Sequence, residues 1–273
     1  MVVVEHRVAD VLSLIDRVVV IEAGGGVVAD GTPDAVFARE AERLRVLGVW
    51  VPGAAPAAPP RQSGPGEAVI VARSLSYIYP RGEASALSGV AATVRRGSAL
   101  AITGPNGSGK STLAMLLAGL LRPQAGEVRA FGAEPWRWSP RALVRRIGTV
   151  FQDPEHQLVA ARVDDELRVG PRAIGLPAAE IDRRVSELLE RLDLQKLAAA
   201  NPFTLSGGEK RRLSVGTAFA TSPEALILDE PTFGQDRRTF AELLALLAEY
   251  RDSGGAIAFA SHDELFVEAF ADD

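Results

Sequence analysis

Nine consecutive residues, Gly104-Pro105-Asn106-Gly107-Ser108-Gly109-Lys110-Ser111-Thr112, put glycines, a lysine and hydroxyls directly behind the apolar run Ala99-Leu100-Ala101-Ile102. Gly104, Gly109, Lys110 and Ser111 have the spacing of a phosphate-binding loop, and a strand before and a helix after are the context that motif requires. Glycines let successive backbone N–H groups turn toward one anion. A helix starting near Lys110 would add its positive dipole end at the same point. A polyphosphate fits such a loop, with the Lys110 cation reaching the β- and γ-phosphates and the Ser111 hydroxyl offering Mg²⁺ a hard oxygen. Thr112 is expected near the α-phosphate. Downstream, Ala225-Leu226-Ile227-Leu228-Asp229-Glu230 is an unbroken apolar run ending in two carboxylates, as a buried parallel strand delivering acids to its C-terminal edge would be. Neighbouring side chains on a strand point to opposite faces, so the two acids need different tasks unless the strand has already ended. Between loop and acids lies Leu205-Ser206-Gly207-Gly208-Glu209-Lys210, a hydroxyl and backbone amides at a helix start that could hold a γ-phosphate.

In this order the segments resemble the ATPase subunits of ABC transporters, whose signature LSGGE lies between P-loop and acidic strand; the resemblance covers residues 67–273. It implies an α/β fold, a P-loop NTPase core with a mostly parallel sheet, an antiparallel β subdomain and a small helical subdomain. ATP and Mg²⁺ are the implied cofactors. Asn106, Gly107 and Ser108 join the rest of the loop as nucleotide ligands, and Ser111, Gln152 and Asp229 form the metal side. Glu230 resembles the base that polarises water, His262 the switch that touches the γ-phosphate, and Lys110 the phosphate cation. Gln152 matches the Q-loop, which senses metal and attacking water. Tyr79, or failing it Tyr77, stands where the family stacks an aromatic ring on adenine. Ser206, Gly207 and Gly208 would bind the γ-phosphate of an opposite subunit, so the implied partner is a second ABC ATPase domain, facing head to tail in a homo- or heterodimer. Thr232-Phe233-Gly234-Gln235-Asp236 departs from the commonest D-loop, Ser-Ala-Leu-Asp, although Asp236 keeps the acidic position and by the resemblance counts among the nucleotide-binding residues.

More narrowly, Val150-Phe151-Gln152-Asp153-Pro154-Glu155-His156-Gln157-Leu158 and Glu230 to Asp236 resemble energy-coupling factor ATPases, which power vitamin and transition-metal-ion uptake. The implied setting is the cytoplasmic face of the cell membrane, with an integral membrane transporter component docked near the Q-loop. Sustained heptads of the kind found in ABC-type DNA repair proteins do not occur. A soluble ABC ATPase in translation or signalling, or an inactive ATP-binding fragment, are the other readings. His156 has neither a second histidine nor a cysteine nearby, so a surface or groove role outweighs metal ligation.

The 273 residues, 47% hydrophobic with net charge −5, suit one or two domains with substantial cores. No cysteine is present, so disulfides and thiolate metal sites are excluded. No apolar run approaches the ~18 residues of a membrane span. The mild acidity argues against nucleic-acid binding, and Arg183-Arg184 and Lys210-Arg211-Arg212 read as solvated helix faces.

Strands are expected at 99–103, 147–151, 225–229 and 256–260, alternating with helices such as the one marked by Ile181, Val185, Leu188, Leu189 and Leu192. Residues 52–66, rich in Pro, Ala and Gly, read as a linker. Before it stand a short strand Val2 to Val4, a helix through Val8, Val11, Leu12 and Ile15, a hairpin from Val18 to Val28 around Gly24-Gly25-Gly26, and a helix opening with Thr32 as N-cap and Pro33 at its first position. Val4 to Asp10 resembles Ala260 to Leu265, with His6 and His262 in equivalent places. Residues 1–51 therefore look like the C-terminal remnant of a first ABC domain, and 67–273 like a second one truncated at its C-terminus. Residues 17–51 could pack on 67–273 and supply closing elements.

Overall fold

A computed structural model describes residues 2–3, 8–22, 24–53, 56, 60–61, 64–80 and 85–272. His6, and with it most of the Val4 to Asp10 repeat, lies outside the described residues, as does part of the 52–66 linker. Three sheets organise the rest. After a 3-10 segment Val8–Leu14, where a helix was expected, β1 (Val18–Ile21) and β2 (Val27–Gly31) pair antiparallel as a hairpin across the glycines. Val2 and Val3 are not in a strand. Helix α1 (Pro33–Val46) follows with Thr32 at its N-cap, although the Thr32 side chain makes no cap bond. Pro33 supplies the preset φ that makes the cap position work without one.

Strands β3 (Ala68–Tyr77), β4 (Leu87–Arg95) and β6 (Ala125–Ala130) form an antiparallel sheet in the order β4-β3-β6. The parallel sheet runs β5-β9-β8-β7, with β5 at Ser98–Ile102, β7 at Ile147–Val150, β8 at Ala225–Asp229 and β9 at Ala256–Ala260. β8 and β9 are buried at every position because helices cover both faces, which is why their sequences are apolar throughout and do not alternate. Their alternate residues still part company. Leu226, Leu228, Ile257 and Phe259 enter one core with helices α4 (Val163–Ile174), α5 (Ala178–Arg191), α6 (Gly207–Phe219), α7 (Arg237–Asp252) and α8 (Glu264–Phe270). Ala225, Ile227, Ala256 and Ala258 face a second core with α2 (Lys110–Leu117) and the antiparallel sheet. The short helix α3 (Pro140–Arg146) leads into β7.

The hairpin and α1 keep a small core of their own, Val18, Val20, Ala29, Val36, Leu44 and Val51. The hairpin does not join the parallel sheet. The join to the larger body is made instead by the residues after α1. Gly48, at φ +81°, closes that helix with Gly48 N–H on Arg45 C=O and Val49 N–H on Leu44 C=O, the paired bonds of a Schellman turn. The turn sends Trp50 into the core of α4 to α8, against Phe240. Among the described residues, no helix is long and apolar enough to cross a membrane.

Candidate functional site

The loop between β5 and α2 is shaped by Gly109, which precedes the helix at φ +93° and lies so close to the neighbouring chain that an added Cβ would stand 2.2 Å from the Ala86 carbonyl oxygen. Only glycine satisfies both conditions. Lys110 folds back over the loop, its Nζ donating to the carbonyls of Gly104 (2.8 Å) and Pro105 (3.1 Å). Asn106, Gly107, Gly109, Lys110, Ser111 and Thr112 line a cleft of about 1140 Å³. Gly104 and Ser108 belong to the same loop behind that lining, where a Cβ on Gly104 would come within 2.9 Å of Ser108 Oγ.

Asp229, the last residue of β8, is buried at this cleft, and burial outweighs a hydrogen bond from Ser111 to raise its carboxyl above the ordinary range. The next residue, Glu230, has φ +49°. The strand has therefore ended, and adjacent acids line one cleft rather than opposite faces. Glu230 Oε2 accepts from Ser261 Oγ (3.1 Å), Glu230 Oε1 accepts from the His262 N–H (3.1 Å), and the same Oε1 lies 2.7 Å from His262 Nδ1. With its proton on Nδ1, the imidazole donates there and leaves Nε2 for a further partner. Glu230 is thus fixed on three sides while the His262 ring stays more than half exposed.

Gln152, following β7, lines the cleft near these acids. Ser111, Gln152 and Asp229 together offer a hydroxyl, an amide oxygen and a carboxylate, all hard donors. No group of three or more His, Cys, Asp or Glu among the described residues could cage a metal. That donor set fits Mg²⁺, which binds through few protein oxygens, one or two of them carboxylates, and completes its shell with phosphate and water. Tyr79 lines the same cleft with its hydroxyl 3.2 Å from Thr112 Oγ1, and Tyr77 meets it edge-on from the side of the second core.

The signature segment begins α6. Ser206 caps it with a full capping box: Ser206 Oγ accepts from the Glu209 N–H and Glu209 Oε2 from the Ser206 N–H at 2.8 Å. That backbone bond is the main reason the Glu209 carboxyl sits below its ordinary value. Of Ser206, Gly207 and Gly208, only Gly207 lines the cleft of its own chain. Asp236 is outside it too. Its carboxylate caps α7, accepting from the Thr239 N–H at 2.8 Å. Phe233 and Gly234 from the same turn do line the cleft.

Reading Lys210-Arg211-Arg212 as a solvated face is also corrected. Arg211 is buried, with Nη1 donating to the Phe151 carbonyl at 2.7 Å and Nη2 to that of Gln152. Burial lowers its pKa, and the neighbouring Asp229, Glu230 and Asp153 oppose that. Lys210 Nζ meets Glu155 at 2.6 Å, and Gln157 bonds Ser214 and Thr217. These residues tie α6 to the segment after β7. Sequence reading missed them, and the signal available was three consecutive cations on a helix whose remaining positions include the apolar Leu213 and Val215.

A family model for ABC transporters matches residues 87–233. The chain is 35% identical to a Bacillus subtilis protein named for HMP/thiamine import, over 99% of this chain and 53% of the relative. It is 40% identical to the energy-coupling factor transporter ATP-binding protein of Methanothermobacter thermautotrophicus, over 75% of this chain and 66% of that one. The chain thus spans about half the length of the first and about two thirds of the second. Among solved structures, cbiO1 from Clostridium perfringens, part of the transporter complex cbiONQ, superposes with TM-score 0.61 at 35% identity, covering 72% of this chain and 79% of that one. With the loop and the acids on one cleft and the family model matching more than half its length, the chain belongs to the ABC transporter ATPase family.

Proposed function

We propose that this chain binds and hydrolyses Mg²⁺ATP and powers an importer of the energy-coupling factor type, for a vitamin or a transition-metal ion. The observation that carries the catalytic part is the Glu230–His262 pair on the same cleft as Lys110 and Ser111. In this reading the loop amides and Lys110 hold the β- and γ-phosphates, and Lys110 exchanges its two carbonyl partners for phosphate oxygens. Tyr79 stacks on adenine. Ser111, Gln152 and Asp229 hold Mg²⁺, which when bound neutralises the charge on the β- and γ-oxygens. Glu230 takes a proton from the attacking water and is kept oriented by Ser261 and His262. His262 keeps Nδ1–H on Glu230 and donates to the γ-phosphate through Nε2 when the ring carries both protons. Ser206, Gly207 and Gly208 face the γ-phosphate of a second ATPase domain, either another copy or a different chain, which makes hydrolysis depend on pairing. The import role is supported by the relatives named for thiamine import and energy-coupling factor transport. A membrane component would dock beside the segment after Gln152, putting the chain at the cytoplasmic face.

Turnover of the purified chain with Mg²⁺ATP, alongside Glu230→Gln and Lys110→Ala, tests the reading. Glu230→Gln should keep ATP binding, lower turnover by ~10² or more and accumulate an ATP-bound dimer. Lys110→Ala should lose tight ATP binding. Turnover in Glu230→Gln close to wild type would remove Glu230 from its role.

A further inference from the structure

The segment that carries Trp50 into the main body ends on the turn between Glu230 and α7. Trp50 is 6% exposed, and its Nε1 donates to the Gln235 carbonyl at 3.1 Å. The Trp50 ring meets Phe240 edge-on at 5.1 Å. Two residues earlier, the Gly48 carbonyl accepts from the Arg237 N–H at 2.9 Å, satisfying a first-turn donor of α7 that has no partner inside its helix. The turn is therefore held from outside at both its last residues and the start of the helix that follows.

Gln235 passes this restraint on. Its side chain is buried, and Nε2 donates at 3.4 Å to the carbonyl of Gly208 in the signature. A Cβ built on Gly208 would stand 3.7 Å from the Gly234 carbonyl oxygen and 3.8 Å from Gln235 Oε1, so the signature backbone lies directly against the turn. The same turn presents Phe233 and Gly234 to the cleft.

We propose that Trp50 is a positioning residue: through Gln235 it sets where the Gly207-Gly208 backbone stands, and so couples the segment after α1 to catalysis across the ATPase pair. The inference rests on the reading of the cleft as an ATPase site completed by a facing signature. Because Gly208 serves the facing nucleotide while Lys110 and Ser111 serve their own, loss of the restraint should spare nucleotide binding and slow turnover. That asymmetry distinguishes positioning from general loosening.

Trp50→Phe tests it in the full chain, because phenylalanine keeps a ring against Phe240 while removing the N–H donor along with part of the buried indole. One neutral hydrogen bond corresponds to roughly a fivefold change. We expect kcat to fall by about fivefold with the KM for ATP unchanged, and amide exchange at 206–210 and 233–236 to quicken by a similar factor while 163–175 stays as in wild type. Unchanged exchange at both segments, or wild-type kcat, overturns the proposal. The exchange measurement needs no turnover, so it decides the link even for a chain that hydrolyses nothing alone. A wild-type chain that neither binds nor hydrolyses ATP would instead count against the parent reading.

Discussion

At Gly109 the sequence motif has a directly measurable reason. The residue combines φ +93° with a carbonyl, that of Ala86, where its Cβ would be. Gly109→Ala must move either β4's leading edge or the loop, so ATP binding should be lost while the fold persists; nucleotide titration followed by far-UV circular dichroism checks both. A variant that binds ATP like wild type would mean the loop can shift without cost. Glu230 is a contrasting case, because nothing in its residue type announces the left-handed backbone that turns it toward the same cleft as Asp229. The loop, the acid pair and Gln152 were legible because each motif fixes a residue type at a spacing. The Glu230 conformation was not, since it is set by the Glu230 N–H bonding the Ala260 carbonyl and by the side-chain partners from 261 and 262. Arg211 was misread for a similar reason: burial of a cation depends on carbonyls brought in from Phe151 and Gln152, about 60 positions away.

At the level of elements, α6 is held by its cap and by that same arginine, and the two contributions separate experimentally. Ser206→Ala removes a capping hydroxyl and should cost about 1 kcal/mol of stability. Its partner Glu209 has a pKa below the ordinary 4.5, chiefly through the Ser206 N–H. A carboxyl depressed on folding contributes stability that is present above its unfolded value and lost as pH falls through its folded value. Glu209→Gln should therefore flatten stability against pH in the range below about 4.5, read as thermal midpoints across acidic buffers; an unchanged slope would mean the box does not persist in solution. Arg211→Met leaves the Phe151 and Gln152 carbonyls without their donor in a buried place. At about 1–3 kcal/mol per orphaned group, the thermal midpoint should drop by at least about 4 °C, with turnover falling as the segment after β7 loosens from α6. A midpoint within a degree of wild type would show that water replaces the guanidinium. The helices and parallel strands themselves were legible, with β8 and β9 at their expected bounds, because runs buried on both faces carry an unambiguous apolar signal. The segment Val8–Leu14 was not, since four apolar positions suit a helix and a 3-10 segment alike.

Across the whole molecule, the apolar cores are unequal and only narrowly joined. The hairpin and α1 share a cluster of six buried residues, whereas the body around the parallel sheet buries many times that number on its two faces. The contact between them runs through Gly48 and Trp50. Sequence reading gave the N-terminal piece its hairpin and helix and expected residues 17–51 to pack on the larger body, but not through Trp50, because a tryptophan two residues past a glycine carries no mark of which surface it will enter. Unequal cores with a narrow joint should open separately, the smaller first. Leu44 is fully buried in the small core, and Leu44→Ala should cost about 2–5 kcal/mol there. Denaturant unfolding followed by circular dichroism should then show two steps, with Leu44→Ala advancing the first and leaving the second in place. Adding Mg²⁺ATP at about 100 times its dissociation constant should raise the second step by about 2.7 kcal/mol and leave the first unmoved, because the nucleotide cleft is built from the larger body alone. A single cooperative transition shifted by both the mutation and the nucleotide would instead mean that the Trp50 joint binds the two cores into one folding unit, and that occupancy of the cleft is felt as far as the hairpin.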